Sequence, residues 1–197
     1  WEGGIRQPYY IHVPNLTAPG ATHAAPVTGT DFYPTILDLA GLPLQPRQHV
    51  DGVSLVPLLK GGKIAERDLF WHYPHYGNQG GEPSSIIRSG DFKLIHYYED
   101  GHDELYDLTK DIGEATDLAA SQPKTAKALR TKLDAWLKET GARIPAADVR
   151  FNPARKKTQL QNARTGQLKG LENRAANYLK PDFKPNQDWW SSLVPKD

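Results

Sequence analysis

Hydrophobic residues recur at helical spacing in two stretches of this chain. "SQPKTAKALRTKLDAWLKETG" places Leu129, Leu133, Trp136 and Leu137 on one stripe, with Ser121 set to cap, Pro123 in the first turn and Gly141 at the stop. "TGTDFYPTILDLAGL" puts Phe32, Ile36, Leu39 and Ala40 on one face. There Thr30 is the expected cap, Asp31 favours the positive end of the helix dipole, and Gly41 ends the run. Between these stretches the period changes. "SSIIRSGDFKLIHYYEDGHDELYDLTKD" reads as a meander of strands at Ser85–Arg88, Phe92–Tyr98 and Glu104–Leu108. Ser89-Gly90-Asp91 and Glu99-Asp100-Gly101-His102 supply the turn chemistry. Strands followed by one helix predict a small antiparallel sheet with a helix on one face.

The rest of the pattern is weaker. The apolar run from Ile5 to Val13, which contains Pro8 and ends before Pro14, reads as a strand, and residues 15–26 as a loop. "HVDGVSLVPLLKGG" gives an Asp51-Gly52 turn and a short apolar helical turn closed by Gly61-Gly62. "RDLFWHYPHYGNQGGEP" is an aromatic segment running into a glycine-rich loop. From Ala142 onward periodicity fades, which predicts an extended, irregular tail. Within it, "GLENRAANYLKPDF" could form a short helix and "DWWSSLVP" an aromatic anchor on the body. Three parts result: 1–62, 63–145 and 146–197.

Composition changes this picture in four ways. Lys+Arg is 24 against Asp+Glu 23, so the net charge of +1 offers no electrostatic footprint for nucleic acid. No window approaches the roughly 20 apolar residues of a membrane-spanning helix. The absence of cysteine excludes disulfides, zinc–thiolate sites and a cysteine nucleophile within these residues. The absence of methionine points to a mature chain or a piece of a larger one.

Candidate chemistry concentrates at His72, Tyr73, His75, Tyr76, Asn78 and Gln79, where imidazoles, phenols and amides share one loop. Such a loop suits sugar hydroxyls, with rings stacking and polar groups hydrogen-bonding, and these residues form the expected substrate-binding set. The competing reading packs Trp71, Tyr73 and Tyr76 into the sheet and satisfies the histidines from backbone. His72 and His75 are too closely spaced, and too short of further ligands, for zinc. The carboxylates are scattered, whereas calcium wants six to eight oxygens in one place. No residue is therefore assigned a catalytic or metal-binding role.

The order of these pieces carries a resemblance. "WEGGIRQP", "TDFYPTILDLAGL", "DGVSLVPLLKG" and "IIRSGDFKLIHYYEDGHDELYDLTKDIGEATDLA", together with "WHYPHYGNQGG", resemble the C-terminal portion of a type I sulfatase of the alkaline-phosphatase-like superfamily. The resemblance runs from about Trp1 to Pro153. It implies an α/β fold: the last elements of the large domain (1–62), a small α+β subdomain (63–145) and a tail. It implies sulfate-ester hydrolysis, a sulfated carbohydrate substrate, and a periplasmic or secreted location. It also implies a formylglycine made from Cys or Ser in a Cys/Ser-x-Pro-x-Arg motif, and a Ca²⁺ ion held by Asp, Asn or Gln. This chain contains no such motif, no Asp-Asp pair and no Asp-Asn-Gly. The resemblance therefore assigns nucleophile and metal to an N-terminal catalytic partner portion, and predicts that these residues alone are inactive. Glu2, Gly3 and Gly4 resemble the loop just beyond the family's sulfate-binding lysine, where glycines let backbone approach closely. Alternatives are a phosphoric-ester or phosphonate hydrolase of the same superfamily, a stand-alone carbohydrate-binding module, and one piece of a two-chain processed enzyme.

Overall fold

A computed structural model describes residues 1–77, 81–146 and 148–184. The aromatic anchor expected in "DWWSSLVP" lies outside the described residues. The chain forms two compact units, Trp1–Pro145 and Ala146–Asp197.

The first unit is organised by a four-stranded antiparallel meander, β1 (Leu69–Tyr73), β2 (Ser84–Ser89), β3 (Phe92–Tyr97) and β4 (Asp103–Asp107), in that spatial order. The three expected strands are present within a residue at each end. The aromatic run before them adds a fourth, because β1 pairs residue for residue with β2, from Tyr73 opposite Ser84 to Leu69 opposite Arg88. Alternation along each strand separates two faces. Ile87, Leu94 and Leu105 meet Leu129, Leu133 and Leu137 of the long helix α4 (Pro123–Glu139) on one face. Trp136 joins this core by stacking on Phe70 at 4.8 Å. The expected cap moves by one residue: Gln122 is the N-cap, with Pro123 at the first helical position, while the Ser121 hydroxyl donates to the Leu118 carbonyl. Gly141, at φ +62, ends the helix in the left-handed region open to glycine.

On the other face Ile95, Tyr106 and Leu108 form a smaller cluster with Ile86 and Tyr97. The N-terminal segment reaches this face. Residues Glu2–Ile5 make a single helical turn, α1. The strand expected over Ile5–Val13 is absent: Ile5 closes the helical turn, and the backbone over residues 6–13 is irregular. A strand exists through pairing, and among the described residues no partner strand runs beside it.

Helix α2 (Phe32–Leu39) forms where expected, but a 3₁₀ turn over Gly29–Asp31 precedes it and moves the cap from Thr30 to Thr28. The reason is Asp31, whose carboxylate reaches back to accept the Thr28 N–H at 2.8 Å. The buried residues of α2 are Pro34 and Thr35, whereas Phe32, Ile36 and Leu39 are exposed. Thr35 donates to the Asp31 carbonyl at 2.6 Å and accepts from the Leu55 N–H at 2.9 Å, which docks α2 on the segment leading into α3 (Val56–Leu59). Gly52 is required here, since a Cβ would stand 2.2 Å from the Thr30 carbonyl oxygen. Asp31 is fully buried. It holds Arg67 through both carboxylate oxygens and also accepts the Val53 N–H at 3.0 Å.

The second unit corrects the expectation of an extended tail. It contains α5 (Pro153–Asn162), a π-helical turn (Ala163–Gln167) and α6 (Leu168–Tyr178). Proline starts the first run, and Ala, Arg, Lys, Gln and Leu, all good helix formers, dominate both. Neither helix buries a residue among those described, which is why hydrophobic periodicity carried so little signal.

Candidate functional site

Strand register divides the sequence-predicted residues. Tyr73, Ser84 and Tyr97 form one cross-strand row; His72, Ser85, His96 and Asp103 form the next; Trp71, Ile86, Ile95 and Glu104 follow. Successive rows point to opposite faces. Trp71 and Tyr73 therefore share the face and the end of the sheet that carry Glu104 and Tyr97. His72 projects to the opposite face, the one covered by α4.

His72 is committed to structure. Its Nε2 lies 3.1 Å from the Arg143 carbonyl oxygen, which can only accept, so the Nε2–H donates there. The Ser85 hydroxyl hydrogen-bonds with Nδ1 at 2.7 Å and with the Tyr98 hydroxyl at 2.6 Å. Ser85 is fully buried, so this serine–histidine contact offers no nucleophile to a substrate. In the same row His96 Nδ1 stands 2.8 Å from Asp103 Oδ1, and Arg130 of α4 reaches that oxygen at 3.0 Å. Burial would raise the Asp103 carboxyl, but His96 and Arg130 outweigh it and hold the group below the usual carboxylate range.

The remaining members of the loop are on the surface. Tyr73 and Tyr76 are 52% and 64% exposed, and His75 is exposed with its ring edge-on to Tyr73 at 5.5 Å. Gly77 closes the loop by donating its N–H to the Gly81 carbonyl at 2.7 Å. Asn78 and Gln79 lie outside the described residues. Solvent-exposed phenols beside an imidazole are the side-chain types that suit an apolar, hydroxyl-edged ligand.

The N-terminal turn is fixed by contacts that sequence reading did not single out. The Trp1 indole N–H donates to Glu104 Oε2 at 3.2 Å, and the Tyr97 hydroxyl donates to the same oxygen at 3.0 Å. Burial, and then the neighbouring Glu104 carboxylate, push the Tyr97 hydroxyl pKa well up, so it remains a donor. Glu2 is buried and faces Lys93 of β3. Gly3 and Gly4 are exposed, and a Cβ added at either would meet nothing within 4 Å. The usable signal was Lys93 itself: it occupies the position in "FKLIHY" that shares a face with Ile95 and Tyr97.

Among the described residues, no cluster of three or more His, Cys, Asp or Glu side chains is placed to hold a metal ion. With no cysteine in the chain either, these residues do not fit the calcium or cysteine-derived formylglycine that the family resemblance implies. Among the described residues no helix is long and apolar enough to cross a membrane.

The four-stranded sheet with its packed helix, and the N-terminal turn that approaches it, lie within the stretch of this chain that matches the C-terminal portion of the sulfatase family. The chain belongs to the N-sulphoglucosamine sulphohydrolase, C-terminal family, whose model matches residues 1–142. It is 36% identical over 158 residues to a sulfatase of Formosa agariphila, covering 72% of this chain and 29% of that protein. It is 33% identical over 181 residues to human arylsulfatase A, covering 78% of this chain and 34% of the relative. The solved structure of a 2-O GAG sulfatase superposes with a TM-score of 0.51 at 29% identity, over 61% of this chain and 27% of that one. The chain thus spans about a third of the length of these curated relatives.

Proposed function

We propose that this chain is the C-terminal part of an enzyme that hydrolyses sulfate esters of a sulfated carbohydrate. The observation that carries the reading is the family match over residues 1–142, in a family described by a sulphohydrolase of N-sulphoglucosamine. The 2-O GAG sulfatase among the structural relatives supports the same substrate class. The rest of the enzyme would supply the nucleophile and the cation, which the resemblance identifies as formylglycine and Ca²⁺, in a periplasmic or secreted protein. This chain would supply the Gly3–Gly4 backbone beside the sulfate and an aromatic wall for the sugar. Tyr73 and Tyr76 offer ring faces and His75 an exposed imidazole, on the sheet end that also carries the Trp1 contacts.

The test uses the full-length protein and follows sulfate release from sulfated mono- and disaccharides, with an aryl sulfate and a phosphonate monoester in parallel. Preference for the sulfated sugars is expected. Loss of one stacking ring in Tyr76→Ala should raise KM for a sugar by about tenfold, with a smaller effect on the aryl sulfate. Turnover of the phosphonate in place of sulfate esters would contradict the reading.

A further inference from the structure

The turn that bears Gly3 and Gly4 is tied to the small sheet by a buried ion cluster. Lys93 is the second residue of β3, and its side chain is 0% exposed. Its ammonium lies 3.1 Å from Glu2 Oε1 and 2.8 Å from Glu114 Oε1, and both carboxylates are nearly as buried as the lysine. The second contact is an ion pair without hydrogen-bond alignment. Glu114 Oε2 accepts the backbone N–H of Glu2 at 2.5 Å. Glu114 thus grips Glu2 twice, once at its backbone and once through the lysine. It does so from φ +53, a conformation that residues with a side chain seldom adopt.

Two carboxylates and one amine are packed together in a place shielded from solvent. Such a cluster gains little stability over well-packed apolar residues, because desolvation offsets the attraction. What it does provide is geometry: directional contacts fix Glu2, and therefore the next residues, relative to β3.

We propose that Glu2, Lys93 and Glu114 are positioning residues. They hold the Gly3–Gly4 backbone at a set height over the sheet, so that it meets the substrate's sulfate in the same place at every turnover. The catalytic part of this statement rests on the sulfatase reading above; the tie itself does not.

The experiment pairs amide hydrogen exchange with turnover in the full-length protein. Lys93→Met and Glu114→Ala should accelerate exchange of the Glu2–Arg6 amides by about tenfold or more relative to those of β2 and α4. Glu114→Gln keeps an oxygen for the Glu2 N–H and should accelerate it by less than about threefold. Leu133→Ala, which loosens the core on the opposite face, should not single out the turn. In turnover, Lys93→Met should lower kcat by about tenfold while KM stays within about twofold. Equal exchange in the turn and the rest of the sheet would overturn the tie. An equal loss of kcat in Leu133→Ala at the same loss of Tm would overturn the positioning role. If Lys93→Met does not fold, the contrast between Glu114→Gln and Glu114→Ala decides. If the wild type releases no sulfate, the sulfatase reading fails alone and the exchange data still judge the tie.

Discussion

Asp31 shows how much one side chain can organise. It caps the 3₁₀ turn before α2, accepts the Val53 N–H and holds Arg67, so three separate segments converge on one buried carboxylate. Burial would raise its pKa, but Arg67, Val53 and Thr28 together hold it below the ordinary carboxylate range. Asp31→Ala leaves Arg67 without its partner and should cost about 3–5 kcal/mol, read as a fall in Tm. Asp107 behaves similarly nearer the surface: Lys110, then Thr109, depress its carboxyl to about 2. Asp103 is lowered as well, by His96 and Arg130 acting against burial. For each of these three acids the folded pKa lies below the unfolded value of about 4. Their stabilisation is complete above that value and is lost as pH falls through the folded pKa. Tm should therefore hold steady above about pH 5 and drop towards pH 2, and the gap between wild type and Asp31→Ala should narrow over the same range.

At the scale of elements, the sheet and α4 are the firmest part of the molecule. Leu133 is fully buried between Leu94, Leu105 and the rest of the α4 stripe. Leu133→Ala should destabilise by about 2–5 kcal/mol in a denaturant titration, because the cavity cannot collapse against a four-stranded sheet. These elements were legible in the sequence because their signals were local: alternation in "FKLIHY", turn residues at Gly90 and Gly101, and a leucine stripe ending at Gly141. The errors share a different cause. Ile5–Val13 has strand composition but no neighbour to pair with among the described residues. The tail helices have helix-forming residues but no buried stripe among those described. Thr30 lost the cap because Asp31 could reach back to Thr28. In the candidate site, the loop at His72–Tyr76 was visible as a cluster of types, but the pleat that turns His72 away from Tyr73 is a property of register. The Glu2–Lys93–Glu114 cluster spans 112 positions from first to last, a separation no local pattern reveals.

For the whole molecule, the exposed side of α2 is informative. Phe32 stacks on Tyr9 at 5.0 Å, and with Ile36, Leu39, Leu42 and Leu44 it leaves apolar side chains open to solvent. On the proposed reading this surface belongs against the remaining two thirds of the enzyme. The 197-residue chain alone should then self-associate, and Ile36→Lys should shift it towards monomer in sedimentation velocity. The same logic predicts that the chain by itself is inactive, since nucleophile and cation are assigned elsewhere. Whether these residues complete a carbohydrate sulfatase is decided by sulfate release from a sulfated disaccharide, assayed with the full-length protein and with the 197-residue chain side by side. Release by the full-length protein, with none from the chain, is expected. A full-length protein that binds the sugar without releasing sulfate would contradict the assignment and leave a binding module in its place.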